Sequence, residues 1–344
     1  MEEKDLRKQN RRKRKKYRLL ILLLLLFGTG IMLATSTYAW FTANKTVSIG
    51  TLQVQIEAKN GIQISADGTN WKSIVQKTDL TSASATYPNA KNQLPDVLEA
   101  VSTGGVVTAE GQLPMYYGNI GTNADGNYIL TATKETDANA TTGKYIAFDL
   151  FFKVDKASDI WITPTSGVKS TDTNDTGIKN ASRIGFVVLG NTTAGAAVSD
   201  IQALNKGTAS STYIWEPNYN IHTPAGIANA RDVYGIQNVT ADHAILPYSG
   251  VIGDIADVDN ILLGEATQTK DDTKFKDVAI TYQTKSGYTH YIPAFKLENG
   301  ITKVRIYMWV EGQDVDCENN ASNGSITFDL QITTELPEGA ATTE

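Results

Sequence analysis

The chain has 344 residues, a net charge of −6 and a single cysteine, and 41% of its residues are hydrophobic. One cysteine excludes an intramolecular disulfide, so packing, hydrogen bonds or bound ions must hold the fold together. The acidic balance argues against nucleic acid or anionic lipid as a partner.

The N-terminus has the features of an export signal. Residues 1–18 contain ten basic and three acidic side chains, and residues 19–34 form an apolar core. Positive charge beside an apolar segment stays in the cytoplasm, and this core is shorter than the roughly 20 residues of a membrane-spanning helix. We therefore expect residues 1–39 to be a signal peptide, cut by signal peptidase between Ala39 and Trp40.

An alternative interpretation keeps residues 19–41 as an uncleaved membrane anchor. Tyr38, Trp40 and Phe41 would then lie at the outer membrane interface, where aromatic side chains are enriched. The protein would in that case be a membrane-tethered binding or adhesion module at the cell surface. With cleavage, residues 19–41 contact the membrane only before the cut.

The body of the chain, residues 40–334, is typical of β structure. Alternating or continuous apolar runs predict four strong strands, at residues 145–154, 182–190, 303–311 and 325–333. Few helical patterns and many turn clusters predict an all-β sandwich, jelly-roll-like in outline, as one large domain or two smaller ones. Residues 335–344 are expected to be a disordered tail.

Weaker patterns give further local predictions. The alternation changes phase at Gly50, which indicates a bulge in the first strand. Residues 62–75 contain an Asp-Gly turn and predict a hairpin. Residues 159–163 are expected to pair with the strand at 145–154, and residues 194–205 to form the one sizeable helix.

The sharpest polar cluster is an acidic loop that follows the strand at 303–311. Its acids could supply the oxygen ligands that Ca²⁺ prefers, and calcium is the one cofactor that the sequence suggests. The candidate ligands are Glu311, Asp314, Asp316 and Glu318. The alternative is a loop whose polar side chains bond their own backbone.

Other catalytic signals are missing from the sequence. There is no HExxH zinc helix, no GxSxG elbow and no phosphate-binding loop. His222, His243 and His290 are far apart in the sequence, and each is interpreted as a surface or hydrogen-bonded polar residue. Cys317 has no histidine nearby in sequence and is expected to be a buried, inert thiol. We therefore expect a protein that is not an enzyme.

The segment after the apolar core resembles a known family. Thr-Tyr-Ala at residues 37–39, Phe41 and Gly-Thr-Leu at residues 50–52 resemble the start of the TasA/camelysin-like secreted proteins of Gram-positive bacteria, which carry a SipW-type signal peptide. The resemblance implies a secreted, extracellular subunit of surface or biofilm-matrix filaments. Camelysin-like proteins have also been classed as metallopeptidases, which is a second alternative.

Filament formation would use the new N-terminus. A β-prone arm without an anchor can add itself as a strand to the sheet of another copy, and the resemblance implies assembly of this kind. The predicted assembly strand comprises Trp40, Phe41, Val47, Ile49, Leu52, Val54 and Ile56. The competing interpretation is that this segment is only the first strand of its own sandwich.

Overall fold

The computed structural model describes residues 47–56, 62–122, 128–135, 143–170, 177–207, 210–232, 234, 236–242, 246, 248–259, 272–281, 292–318 and 325–336. These residues all belong to one compact unit. The predicted signal peptide, its cleavage site and most of the predicted tail lie outside them. In the ranges described, no helix is both long and apolar enough to cross a membrane.

Strands dominate the described residues. The strands are β1 (Val47–Ile56), β2 (Gln63–Ser65), β3 (Val97–Leu98), β4 (Ala100–Ser102), β5 (Tyr116–Thr122), β6 (Tyr128–Lys134), β7 (Ile146–Val154), β8 (Ser158–Ile162), β9 (Gly167–Ser170), β10 (Ser182–Thr192), β11 (Ser211–Trp215), β12 (Ser249–Val251), β13 (Ile255–Asp259), β14 (Phe275–Asp277), β15 (Ile280–Thr281), β16 (Phe295–Leu297), β17 (Gly300–Glu311) and β18 (Ser325–Thr333). The helices are α1 (Lys77–Ser82), α2 (Val198–Gln202) and α3 (Pro224–Asp232), and a 3₁₀ turn covers Ala83–Ala85.

The strands form two main sheets. The smaller sheet has the order β16-β8-β18-β1-β3, with β9 also paired to β18. The larger has the order β13-β6-β5-β4-β17-β10-β11-β15, and β7, with β2 beside it, also pairs with β17. Strands β12 and β14 pair separately. Pairing is antiparallel except between β1 and β18, β4 and β17, and β11 and β15.

One apolar core lies between the two sheets. Alternate side chains of β7, β10 and β17 meet those of β8, β9 and β18 in a single buried cluster. The two-residue period of these strands places their apolar residues on the shared face, where burial stabilises the fold. The predicted all-β, sandwich-like fold is therefore confirmed, and so are the four strong strands.

The opposite face of the larger sheet is also buried, whereas a strict alternation of apolar and polar residues would leave that face exposed to solvent. Every residue of β17 is buried, including the charged Lys303, Arg305 and Glu311. A second apolar cluster, with Trp309 and Tyr307 at its centre, covers much of this face. The larger sheet is therefore enclosed on both sides near its middle, and its charged residues need partners inside the protein.

The structure also tests two local predictions. The pairing of β1 with β18 shifts register between Ile49 and Thr51, which confirms the bulge at Gly50. The hairpin predicted at residues 62–75 is confirmed only in part: Asp67 accepts hydrogen bonds within the turn, but the returning segment forms a single bridge, Ile64 to Lys72, and no second strand.

Two of the pairing and helix predictions are wrong. Strand β8 pairs with β16 and β18 in the smaller sheet, and not with β7. The predicted helix at residues 194–205 is reduced to the short α2, and α3 is the longest helix among the described residues. Helix α3 has Pro224 at its first position, where proline is well tolerated.

Candidate functional site

The predicted assembly segment includes β1, a strand of the chain's own smaller sheet. β1 runs parallel to β18, from Ser48 opposite Ser325 to Ile56 opposite Ile332. On its other side, β1 pairs only with the two residues of β3, through Val47 and Ser48. Most of its length is therefore bonded to a single strand near the C-terminal end of the chain.

The structure thus places five of the seven predicted assembly residues in one strand. These are Val47, Ile49, Leu52, Val54 and Ile56. The other two, Trp40 and Phe41, lie outside the described residues, as does Ala39. Beyond the two residues at its start, the second side of β1 carries no strand within the described ranges.

The residues predicted as calcium ligands form contacts with other side chains of the protein. All four acids, Glu311 at the end of β17 and the three in the loop after it, are buried, and Asp314 and Asp316 contact Arg183 and His222, respectively. Across the parts of the chain that the structure describes, no group of three or more His, Cys, Asp or Glu residues is arranged to hold a metal ion. Calcium binding by these acids stays a prediction.

Arg183 lies at the centre of the contacts that the buried acids make. This residue of β10 is 1% exposed, and its guanidinium NH2 contacts both Asp314 and Glu216, the latter at 2.9 Å to Oε1. The guanidinium NH1 also donates to the carbonyl oxygens of Asn180 and Ser182, at 3.0 and 3.2 Å. A buried arginine thus joins three separate segments, which only a side chain with several fixed donors can do.

His222 and Asp316 form the second half of the cluster. His222 Nδ1 lies 2.7 Å from Asp316 Oδ2, and the other carboxylate oxygen accepts from the Thr223 backbone N–H at 2.9 Å and its hydroxyl at 3.2 Å. Thr223 Oγ1 also accepts the Gly226 N–H at 3.0 Å, which caps the first turn of α3. Asp316 therefore fixes both the histidine and the start of the helix.

Glu311 is a third buried acid of this cluster. It accepts from Trp309 Nε1 and from the Gln313 backbone N–H, each at 3.0 Å, and Ser102 also donates to it. Burial raises its pKa to about 7 in spite of these bonds. Burial likewise raises the pKa of Glu216 to about 7, with Arg183 opposing the shift.

The pKa of His222 shifts in the direction opposite to that of a histidine that is only buried. Burial disfavours its charged form, but the hydrogen bond and the charge of Asp316 outweigh burial and raise its pKa. Three atoms of the Arg183, Glu216 and His222 side chains, namely Arg183 Nε, Glu216 Oε2 and His222 Nε2, are buried and have no hydrogen-bond partner among the described residues. The prediction of a hydrogen-bonded polar histidine therefore holds for His222 at Nδ1 alone; His243 and His290 lie outside the described residues.

A second buried ion cluster joins β7 and β17. Arg305 Nε and NH2 lie 2.7 and 3.2 Å from the two carboxylate oxygens of Asp149, and Lys303 Nζ lies 3.5 Å from Asp149 Oδ2. Tyr87 donates its hydroxyl to Asp149 at 3.1 Å and accepts from Lys303 Nζ at 2.7 Å. Burial alone would raise the pKa of Asp149, but the two cations lower it.

Sequence reasoning missed the partners in both clusters. The sequence patterns do not point to Arg183, Glu216 or Asp149 as site residues, although Asp149 interrupts the apolar run of β7 and Arg183 lies near the start of that of β10. A charge inside an apolar strand signals a buried partner but does not identify it. The prediction of a buried Cys317 is confirmed: it is fully buried, and burial raises its pKa well above the ordinary value.

Comparison with known proteins adds no further assignment. No protein-family model, curated protein or solved structure matches the chain.

Proposed function

We propose that this protein is a secreted structural subunit of extracellular filaments, on the cell surface or in a biofilm matrix, and that copies assemble by exchange of β1. Mature chains would begin at Trp40 after removal of residues 1–39. In the assembled form, β1 of one copy pairs with β18 of the next. The protein would have no catalytic role.

The pairing of β1 with β18 supports this proposal. β1 is the first of the described strands in chain order, has ten residues, and bonds along nearly its whole length to one strand. A terminal strand held in this way can occupy the same position in a neighbouring copy without any new type of contact, which is how domain swapping links subunits. A head-to-tail exchange that does not close on itself produces filaments.

The two buried clusters also fit a structural protein. Their charged side chains contact one another inside the domain and are at most a few per cent exposed. They join strands and loops that are distant in sequence. A protein without disulfides that must persist outside the cell needs such internal connections in addition to its apolar core.

A disulfide that locks β1 in place tests the proposal. Gln55 and Gln331 are directly opposite in the register of β1 and β18, a spacing that a disulfide can bridge. The mature double variant Gln55→Cys/Gln331→Cys should stay monomeric when it is oxidised as a monomer, and should form filaments after reduction. Sedimentation and electron microscopy would follow assembly.

The matched control is the double variant Gln63→Cys/Lys153→Cys, which bridges β2 and β7 at another registered pair. This bridge leaves β1 able to move, so filaments should form in both redox states. Filaments from the oxidised β1–β18 variant would contradict exchange of β1. Monomers from the wild-type mature chain under all conditions would contradict self-assembly itself.

A further inference from the structure

Residues 216–232 contact the rest of the domain partly through two titratable side chains. The segment begins at Glu216, whose carboxylate meets Arg183, and continues through His222, which meets Asp316. It ends with α3, where Asn229 Nδ2 donates to the Val315 carbonyl at 2.8 Å. Every one of these contacts joins the segment to β10 or to the loop of residues 311–318.

The charges around the segment do not balance if all groups ionise. Arg183 is the permanent cation, and His222 is the second cation only while it is protonated. Buried carboxyl groups lie near them on the segment itself, at the end of β17 and on the loop after it: Glu216, Glu311, Asp314 and Asp316. Buried charges of one sign in excess are costly, so the folded cluster must retain protons that the unfolded chain would release.

Three of the other described titratable groups near the cluster are acids as well. Tyr248 packs under the Arg183 guanidinium, 5.6 Å from ring centroid to Cζ, Tyr234 is buried beside the loop of residues 311–318, and Cys317 is buried within that loop. Burial raises the pKa of all three well above their ordinary values, so they stay neutral at physiological pH. They supply no positive charge that could replace a lost proton.

We propose that residues 216–232 form a proton-controlled latch, which is docked on residues 311–318 while Glu216 holds its proton and His222 is charged, and which undocks as these two protons are lost to solvent. Glu216 Oε2 and His222 Nε2, both buried without a hydrogen-bond partner in the described residues, are the atoms where the proton content can change without breaking another bond. Loss of both protons leaves Arg183 as the cation that contacts Glu216 and Asp314.

Undocking would uncover apolar surface. Ala230 of α3 and Tyr234 just after it pack in a buried cluster with Val315, Val251 and Phe275. When α3 moves away from the loop, this cluster loses its cover. The latch would thus convert a rise in pH into an exposed apolar patch, a feature that promotes association between proteins.

Hydrogen exchange measured by mass spectrometry tests the latch on the full mature chain. Peptides from residues 216–232 would be compared at about pH 5.5 and about pH 8, each relative to a peptide from β7 to remove the intrinsic effect of pH. We expect the opening equilibrium of the segment to rise more than about tenfold over this range, because each pKa unit by which the docked state holds a proton more tightly changes the equilibrium about tenfold.

Glu216→Gln keeps the size of the side chain and its bond to Arg183 but removes the titration. In this variant we expect the pH effect on the segment to fall at least about threefold, and His222→Gln should reduce it further. Glu298→Gln, at an exposed carboxyl group, is the control and should behave as wild type. A wild-type segment with pH-independent protection would overturn the proposal, and so would a Glu216→Gln segment with the full wild-type response.

Discussion

Asp149 on β7 and Arg305 on β17 are direct partners across the two strands, and Arg305 Nε lies 2.7 Å from Asp149 Oδ1. Asp149 is fully buried and also contacts Lys303. One carboxylate therefore faces two cationic side chains in a buried part of the larger sheet. Its removal should leave both cations buried without a counterion.

We expect Asp149→Asn to lower the free energy of unfolding by about 3–5 kcal/mol, the usual cost when one member of a buried ion pair is lost. Urea unfolding would measure this loss of stability. The control is Asp329→Asn on β18, where Asp329 contacts Lys169 at 3.3 Å near the surface and the expected loss is below about 1 kcal/mol. Equal losses in the two variants would contradict the importance given to the Asp149 cluster.

The close approach of α3 to the acidic loop depends on a glycine. A Cβ atom at Gly226 would lie 2.2 Å from Asp316 Oδ1, so Gly226→Ala must displace the carboxylate that holds His222 and Thr223. We expect a loss of about 1–3 kcal/mol, although alanine favours helices more than glycine does.

The matched control for this substitution is Gly195→Ala, where a Cβ would meet nothing within 4 Å. Its effect should be within about 0.5 kcal/mol. Thermal unfolding of the two variants, measured side by side, would compare them. A Gly226→Ala protein as stable as wild type would show that the helix does not need to approach Asp316 closely.

Global stability should fall as the pH rises from mildly acidic to mildly basic values. Glu216 and Glu311 have pKa values raised from 4.5 to about 7, so the folded state binds more protons than the unfolded state between these values. Their stabilising contribution is fully present below pH 4.5 and is lost as the pH rises through about 7. The raised pKa of His222 acts in the same direction above its ordinary value of 6.5.

We expect a loss on the order of 3 kcal/mol between about pH 5 and about pH 8. Below about pH 4 the sign reverses, since the pKa of Asp149 is lowered and its stabilising contribution is lost on protonation. Urea unfolding at a series of pH values would measure the profile, and Glu311→Gln should flatten it. A stability that rises steadily from pH 5 to pH 8 would contradict the protonation states assigned to the cluster.

The sequence allowed the sheet core to be predicted but not its charged contents. Strands β7, β17 and β18 were predictable because their apolar residues repeat every second position, and the phase change at Gly50 located the bulge. The partner of Arg305 is 156 positions away, and no local pattern specifies a contact between such distant residues.

The same limit applies at the candidate site and in the pairing of β8. Asp314 and Asp316 have a spacing that suits a calcium loop, but Arg183 and His222 reach them from other strands and loops. Strand β8 was predicted beside β7 because the two are adjacent in sequence, whereas it crosses to the smaller sheet. In each case the observed contact joins residues that are distant in sequence.

Cross-linking between copies tests the exchange of β1 most directly. Mature chains with Gln55→Cys alone would be mixed with chains that carry Gln331→Cys alone, allowed to assemble and then oxidised. Exchange of β1 predicts a covalent heterodimer of the two chains, because β1 of one copy lies beside β18 of the next, and little dimer when Gln63→Cys replaces Gln55→Cys. Filaments that yield no more cross-linked product than this control would contradict exchange of β1.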